Sequence, residues 1–191
     1  CIGSAYCVFS LILSDNLNAS YDAVEQLIVR GHKRIGIICG PEDIYTSQER
    51  LKGYIRVHED YALDIDQDLI LYGDYDVESG HQLLIHLTEM NNPPTAVYVT
   101  NYDMTLGAIM AINERDIKVP DQISLIGFDN IQMAKIVNPP LSIVVQPMKD
   151  IGERAAQVLL ARLQGEQTGE SAVHRLKTEV LIKDSVKTIN S

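Results

Sequence analysis

Short apolar runs alternate with longer amphipathic stretches along almost the whole chain, and this alternation constrains the fold more than any other feature. The apolar runs predict strands at 10–14, 34–39, 68–72, 95–100, 123–128, 141–145 and 175–182. Apolar residues at helical spacing predict helices at 15–30, 47–61, 77–90, 104–112 and 151–163. Alternating strands and helices form βαβ units with right-handed crossovers, so helices cover both faces of a parallel sheet. We therefore predict an α/β fold with a Rossmann-like, doubly wound parallel sheet.

Polar side chains stand where strands of this sheet are predicted to end. Arg50 follows the loop after the second strand, Asn101 directly follows the fourth, and Asp129 directly follows the fifth. The carboxyl ends of parallel strands share one edge of the sheet, and ligands bind there. A guanidinium, an amide and a carboxylate can together hold neighbouring hydroxyl groups. This edge is therefore predicted to bind a polyhydroxylated small molecule.

Aromatic residues lie close in sequence to these polar groups. The chain contains no Trp, so an apolar face for the C–H groups of a sugar would come from Tyr45, Tyr102 or Phe128. Each polar residue also has a plainer explanation. Asn101 would serve well as the N-cap of the next helix. Arg50 could be a solvated helix residue, and Asp129 could accept hydrogen bonds from loop amides.

Several kinds of chemistry lack their sequence signals. There is no GxGxxG or GxxxxGK[ST] phosphate loop, no GxSxG or HExxH motif, and no metal-ligand spacing of Cys and His. We expect no cofactor, no metal site and no enzymatic activity. A small α/β enzyme with Asp129 or Asp103 as a base remains the alternative from a different functional class.

The charge balance and the cysteines bear on partners and location. Sixteen Lys and Arg against 26 Asp and Glu give a net charge of −10, which opposes direct binding of nucleic acid by these residues. No apolar run is long enough to span a bilayer. Three cysteines without a pairing pattern are typical of reduced thiols, so we expect a cytoplasmic protein without a membrane partner.

Long segments of the chain resemble the effector-binding region of the lactose-repressor/galactose-repressor (LacI/GalR) family of bacterial transcription regulators. The matching segments are Asp15-Asn16 with the helix after it, RGHKRIGIICGP (30–41), ERLKGY (49–54), PPTAVYVTNYDMTLGAIMAI (93–112), VPDQISLIGFDN (119–130) and PPLSIVVQPMKDIGERAAQVLLARL (139–163). The resemblance implies a type I periplasmic-binding-protein fold. In that fold two Rossmann-like subdomains are joined by three crossover strands, and the effector lies in the cleft between them.

The resemblance also assigns residues to the effector site. Arg50, Asn101 and Asp129 fall on effector-contacting positions of the family, and Gln146 falls on a pocket-edge position. One position departs from the pattern, because Tyr102 stands where the family usually has Asp. This departure is predicted to favour a ligand with an apolar face.

The same resemblance divides the chain. It implies that 1–14 and 145–172 form part of an N-terminal subdomain, whereas 15–144 and 173–191 form a C-terminal effector-binding subdomain. We expect the N-terminal subdomain to be incomplete and the helix-turn-helix module of the family to be absent from this chain. DNA would then be bound only through that module. This chain would be a truncated form of the regulator.

Family members act as homodimers, which implies a two-fold contact. Apolar candidates for it are Met104, Ala108 and Ile112 on one predicted helix, and Met133 and Ile136 in the region 133–137. The helix residues have the alternative of facing the sheet. Effector binding would close the cleft and reorient two DNA-binding modules. The nearest rival function is that of an exported sugar-binding protein of an uptake system, which shares the fold.

Overall fold

The computed structural model describes residues 10–129, 131–164 and 172–189. These residues form eight strands, which are β1 (Leu11–Ser14), β2 (Ile35–Cys39), β3 (Ile70–Tyr72), β4 (Ala96–Val99), β5 (Ser124–Phe128), β6 (Ser142–Val145), β7 (Val173–Leu176) and β8 (Glu179–Leu181). They also form six α-helices, which are α1 (Asn16–Ile28), α2 (Tyr45–Asp60), α3 (Val77–Glu89), α4 (Tyr102–Glu114), α5 (Ile131–Ile136) and α6 (Met148–Leu163).

A six-stranded sheet in the order β3-β2-β4-β5-β6-β8 forms the centre of the molecule. Its strands are parallel except β8, which pairs antiparallel with β6. The central strands β2, β4 and β5 are buried along their whole length, because one core cluster lies on each face of the sheet. The strand order reverses between β2 and β4, so the predicted doubly wound parallel sheet is confirmed.

A second, two-stranded parallel sheet pairs β1 with β7 and carries α6 beside it. The predicted strand 175–182 is therefore two strands, one in each sheet. The predicted boundary at residue 173 is wrong for Val173–Leu176, because these residues pair with β1 rather than with the large sheet. Helix α6 leaves an apolar face exposed, which consists of Leu159, Leu160 and Leu163.

Side-chain caps explain where three of the helices begin. Asp15 caps α1 by accepting a hydrogen bond from the backbone of Asn18, and Asp76 caps α3 by accepting from Ser79. Asn101 caps α4 in the same way. Such caps satisfy backbone N–H groups that the first turn of a helix leaves without partners. The polar residues that precede the apolar spacing thus fix the start of each helix.

The structure contradicts part of the predicted dimer contact. Met104 and Ala108 are 0% exposed, because α4 packs so closely on α3 that a Cβ on Gly80 would lie 2.2 Å from the Met104 carbonyl oxygen. These two residues belong to the core of their own chain. Ile112 is half-buried, Met133 is nearly buried, and Ile136 is 85% exposed, so a contact through Ile136 and its neighbours stays a prediction.

Within the described ranges, no helix combines the length and the hydropathy that crossing a lipid bilayer would require.

Candidate functional site

Arg50 lies on the inward face of α2 and is 7% exposed, so the interpretation of Arg50 as a solvated helix residue is wrong. Its Nε donates to Oδ1 of Asn16 over 2.9 Å, and its Nη1 donates to the carbonyl oxygen of Thr100. Burial lowers the pKa of Arg50, while the neighbouring Asp129 acts in the opposite direction. The guanidinium thus ties the start of α1 and the end of β4 to α2.

Phe128, the last residue of β5, lies directly under this guanidinium. The Arg50 Cζ atom is 3.8 Å from the centre of the Phe128 ring, a cation–π geometry that is favourable away from water. Phe128 is only 1% exposed. The prediction that this ring offers an open face to a sugar is therefore wrong, because Arg50 and the core cover it.

Asp129 follows Phe128 in the left-handed region, with φ of 61°, which is unusual for a residue other than glycine. Its Oδ2 accepts a hydrogen bond of 2.5 Å from Nε2 of Gln146, whose Oε1 accepts one of 2.6 Å from Oγ of Ser14. Burial raises the pKa of Asp129, although Gln146 and Arg50 act in the opposite direction. A hydrogen-bonded chain thus joins the ends of β1, β5 and β6.

Asn101 takes the plainer of its two predicted roles, as the N-cap of α4. Its Oδ1 accepts from the backbone N–H of Met104 over 3.0 Å, so this oxygen is already used. Its Nδ2 has no hydrogen-bond partner among the described residues. Asn101 directly follows Thr100, to which Arg50 binds, and the amide group therefore lies at the same edge as the guanidinium.

The two predicted tyrosines stand outside this network. Tyr45 is the first residue of α2, is half exposed, and interacts through its hydroxyl with Arg175 of β7. Tyr102 is the first residue of α4 and packs against the core cluster that contains α4. No described hydrogen bond or ring contact links either tyrosine to Arg50 or Asp129 in the resolved ranges.

Three further residues at this edge were not predicted from the sequence. Ser14 and Asn16 hold Gln146 and Arg50, as described above, although Asp15-Asn16 was assigned only as a helix start. Tyr75 adopts φ of 60°. Its ring packs so closely on Gly40 that a Cβ added to Gly40 would lie 2.0 Å from a ring carbon of Tyr75. Sequence carries no sign of that contact. Unusual backbone conformations of this kind concentrate at functional sites.

Catalytic and metal chemistry find little support at this edge. Burial raises the pKa of the Cys39 thiol to about 12, so Cys39 is not an activated nucleophile. In the described ranges, no group of three or more His, Cys, Asp or Glu residues is arranged to hold a metal ion. The edge offers hydrogen-bonding and charged groups suited to binding.

Comparison with known proteins gives a consistent assignment. A family profile described as "Periplasmic binding protein-like domain" matches residues 24–186. The HTH-type transcriptional repressor CytR of Escherichia coli is 37% identical over 175 residues, which are 92% of this chain and 51% of that protein. The probable HTH-type transcriptional repressor ExuR of Bacillus subtilis is 38% identical over 180 residues, 94% of this chain and 54% of that protein. The chain thus spans about half the length of these relatives.

Solved structures agree with the sequence comparisons. A complex of the transcriptional regulator CelR with cellobiose superposes with a TM-score of 0.86 at 29% identity, covering 96% of this chain and 56% of that one. A regulatory protein of the LacI family from Chloroflexus aggregans gives a TM-score of 0.86 at 33% identity, covering 93% of this chain and 64% of that one.

Proposed function

This chain belongs to the periplasmic binding protein-like domain family as it occurs in LacI-type transcriptional regulators, and from that membership we propose that its carboxyl edge senses a small, hydroxyl-rich effector. The single observation that carries the proposal is one hydrogen-bonded network at the end of the parallel strands. In it Arg50 binds Asn16, and Nδ2 of Asn16 donates to the Ser14 carbonyl oxygen over 3.0 Å. The Ser14 hydroxyl in turn binds Gln146, which binds Asp129. Such an edge is where ligands bind in open α/β sheets.

The chemistry of the edge favours a sugar or sugar derivative. Asp129 presents a half-buried carboxylate that accepts hydrogen bonds from hydroxyl groups, and the Nδ2 of Asn101 supplies a donor at the same edge of the sheet. Tyr75 offers an aromatic ring near the loop after β2, where it lies against Gly40 and its hydroxyl hydrogen-bonds Oγ1 of Thr46 over 3.1 Å. One structural relative was solved with cellobiose, which is consistent with this ligand class.

The signal would leave the site through Gln146. This side chain binds Asp129 on one side and Ser14 on the other, and Ser14 ends β1 of the smaller sheet. An effector that contacts Asp129 therefore changes the link between the two sheets. A ligand shifts such an equilibrium only when it binds the two arrangements with different affinity.

The remaining properties of the whole regulator follow from family membership as further parts of the proposal. Operator DNA would be bound by a helix-turn-helix module, two copies would associate through the surface around Ile136, and the protein would act in the cytoplasm. A dimer lets one effector site bias two DNA-binding modules at once.

The test measures effector-induced thermal stabilisation of the full regulator with a panel of mono- and disaccharides, sugar phosphates and purines. Asp129→Asn should remove most of the shift produced by the active compound, because a carboxylate accepts hydrogen bonds that the amide NH₂ cannot. The melting temperature without ligand should change little, since Asn tolerates the left-handed backbone.

The matched control is Asp116→Asn. Asp116 also has positive φ, at 51°, but it is exposed and pairs with Lys118, so its variant should keep the full shift. An equal loss of shift in both variants, or an undiminished shift in Asp129→Asn, would contradict the proposed site.

A further inference from the structure

A second concavity lies at the opposite, amino-terminal edge of the large sheet. Its volume is about 460 Å³, a size that accommodates a small organic molecule. It opens between the last turns of α2, the loop after that helix, and the first residue of β2. Its lining includes Lys33, Arg34, Ile35, Tyr54, His58 and Leu63, together with residues 62 and 64–66 and Leu69.

His58 gives this concavity its most distinctive group. The side chain is 1% exposed, and Nδ1 lies 2.8 Å from the carbonyl oxygen of Tyr54. Because a carbonyl only accepts, Nδ1 carries the proton and Nε2 keeps its lone pair. Burial lowers the pKa of His58, which maintains the neutral ring at neutral pH.

The Nε2 atom of His58 reaches the concavity through a small accessible area, since the side chain is 1% exposed. It has no hydrogen-bond partner among the described residues. The same residues contain no fully buried side-chain nitrogen or oxygen without a partner. Nε2 must therefore reach open space, and the space that His58 lines is this concavity. A buried acceptor with an open valence is the kind of group that fixes the orientation of a ligand.

The surroundings of His58 are rigid and partly aromatic. The Tyr54 and His58 rings lie 4.2 Å apart between centroids, and the Tyr54 hydroxyl donates to the carbonyl oxygen of Ile35 over 2.7 Å. Leu63 is half-buried and adds an apolar wall. A flat molecule that combines a ring with a hydrogen-bonding group matches walls of this mixed, polar and apolar kind.

The charges around the concavity cancel. Arg34 binds Asp66 through an ion pair of 2.5 Å, while Lys33 and Asp64 are both exposed at the rim. Two cations and two carboxylates, with a neutral His58, leave no net charge to attract a charged molecule. The site therefore favours an uncharged occupant.

We propose that this concavity is a second small-molecule site, remote from the carboxyl edge, for an uncharged planar aromatic or heteroaromatic compound that donates an N–H or O–H group to Nε2 of His58. The same face of α2 carries Arg50, Tyr54 and His58 at successive intervals of four residues. The two sites are thus connected through one helix, with Arg50 and His58 about 12 Å apart along its axis.

Two matched compounds, indole and 1-methylindole, test the proposal, since only the first has an N–H donor. Each is titrated into the 191-residue chain labelled with ¹⁵N-histidine, and the imidazole nitrogens are followed by NMR. Indole should shift the Nε2 resonance of His58 saturably. The methylated compound should bind about tenfold more weakly, because one neutral hydrogen bond is lost.

Variants locate the response. His58→Phe keeps an aromatic ring beside Tyr54 but removes the acceptor, so the two compounds should then bind equally in a fluorescence or calorimetric titration. His86→Phe makes the same change at an exposed site on α3 and should preserve the tenfold difference. Leu63→Trp fills the concavity and should block both compounds.

The proposal is overturned by any of three results. These are no shift of His58 with indole, equal affinity of the two compounds for the unmodified chain, or undiminished indole binding in Leu63→Trp.

Discussion

The two edges of the large sheet use buried polar side chains in opposite ways. At the carboxyl edge, Arg50 and Gln146 form hydrogen bonds with other parts of the chain, so that four strand ends and two helices are linked. At the amino edge, Tyr54 uses its hydroxyl in one hydrogen bond, and His58 keeps one ring nitrogen open. Among the residues that the structure describes, the network at the carboxyl edge connects the two sheets through Ser14 and Gln146.

This difference shows how position in the fold determines what a polar group does. The carboxyl edge gathers loops from many strands, so Arg50, Asp129 and Gln146 find partners from distant parts of the sequence. The concavity of the amino edge is built from one helix end and its adjoining loop, and fewer partners reach it. A ligand at the carboxyl edge therefore acts on an existing network, whereas a ligand at the amino edge would complete one.

The largest expected effect is on the carboxyl edge, through Arg50→Met. The change leaves Oδ1 of Asn16 and the Thr100 carbonyl without their donor, and it should lower the free energy of unfolding by about 3 kcal/mol. Urea unfolding followed by circular dichroism measures this loss. Arg56→Met, on the exposed face of the same helix, should cost no more than about 0.5 kcal/mol. Similar costs for both variants would remove the distinction between a linking arginine and a surface one.

A smaller effect is expected at the amino edge, for Tyr54→Phe. The variant leaves the buried carbonyl oxygen of Ile35 without its donor, which should lower the free energy of unfolding by about 1–2 kcal/mol. The control is Tyr61→Phe, because the Tyr61 hydroxyl donates to Oε1 of Glu25 at the surface over 2.9 Å and water replaces that bond. If Tyr54→Phe costs as much as Arg50→Met, the amino edge is as strongly linked as the carboxyl edge.

The smallest effect is a pH dependence that belongs to the amino edge and its neighbourhood. Burial lowers the pKa of His58 and of His32 from 6.5. Between the folded and the unfolded pKa, the unfolded chain binds more protons, so stability is lost as the pH falls below about 6.5.

The share of this stability loss that comes from His58 can be measured by comparing two variants. His58→Phe should reduce the slope of unfolding free energy against pH in this range, by an amount that corresponds to less than one bound proton. His86→Phe should leave the slope unchanged. An unaltered slope in His58→Phe would show that His58 is not held neutral by the fold.

Much of the fold was predictable because its signals are local. The spacing of apolar residues along a few turns or a few strand residues defined the alternating elements, and polar residues marked the helix start at Asp15 and offered an N-cap at Asn101. The carboxyl-edge position of Asp129 follows directly from the end of β5. The sequence also left two roles open for Asn101 and for Arg50. The structure shows that Asn101 caps α4 and that Arg50 is buried rather than solvated, and effector contact stays a prediction for both.

Tertiary contacts decided the remainder. The sequence by itself determined most of the strands and helices and brought Arg50, Asn101 and Asp129 to the carboxyl edge, because periodicity and chain order govern both. Only the tertiary structure decided that Arg50 covers Phe128, that α3 buries Met104, that Val173–Leu176 pairs with β1, and that His58 opens into a concavity. Each of these depends on atoms contributed by residues far apart in the chain or on the shape of the space between elements, and local propensity contains no information about either.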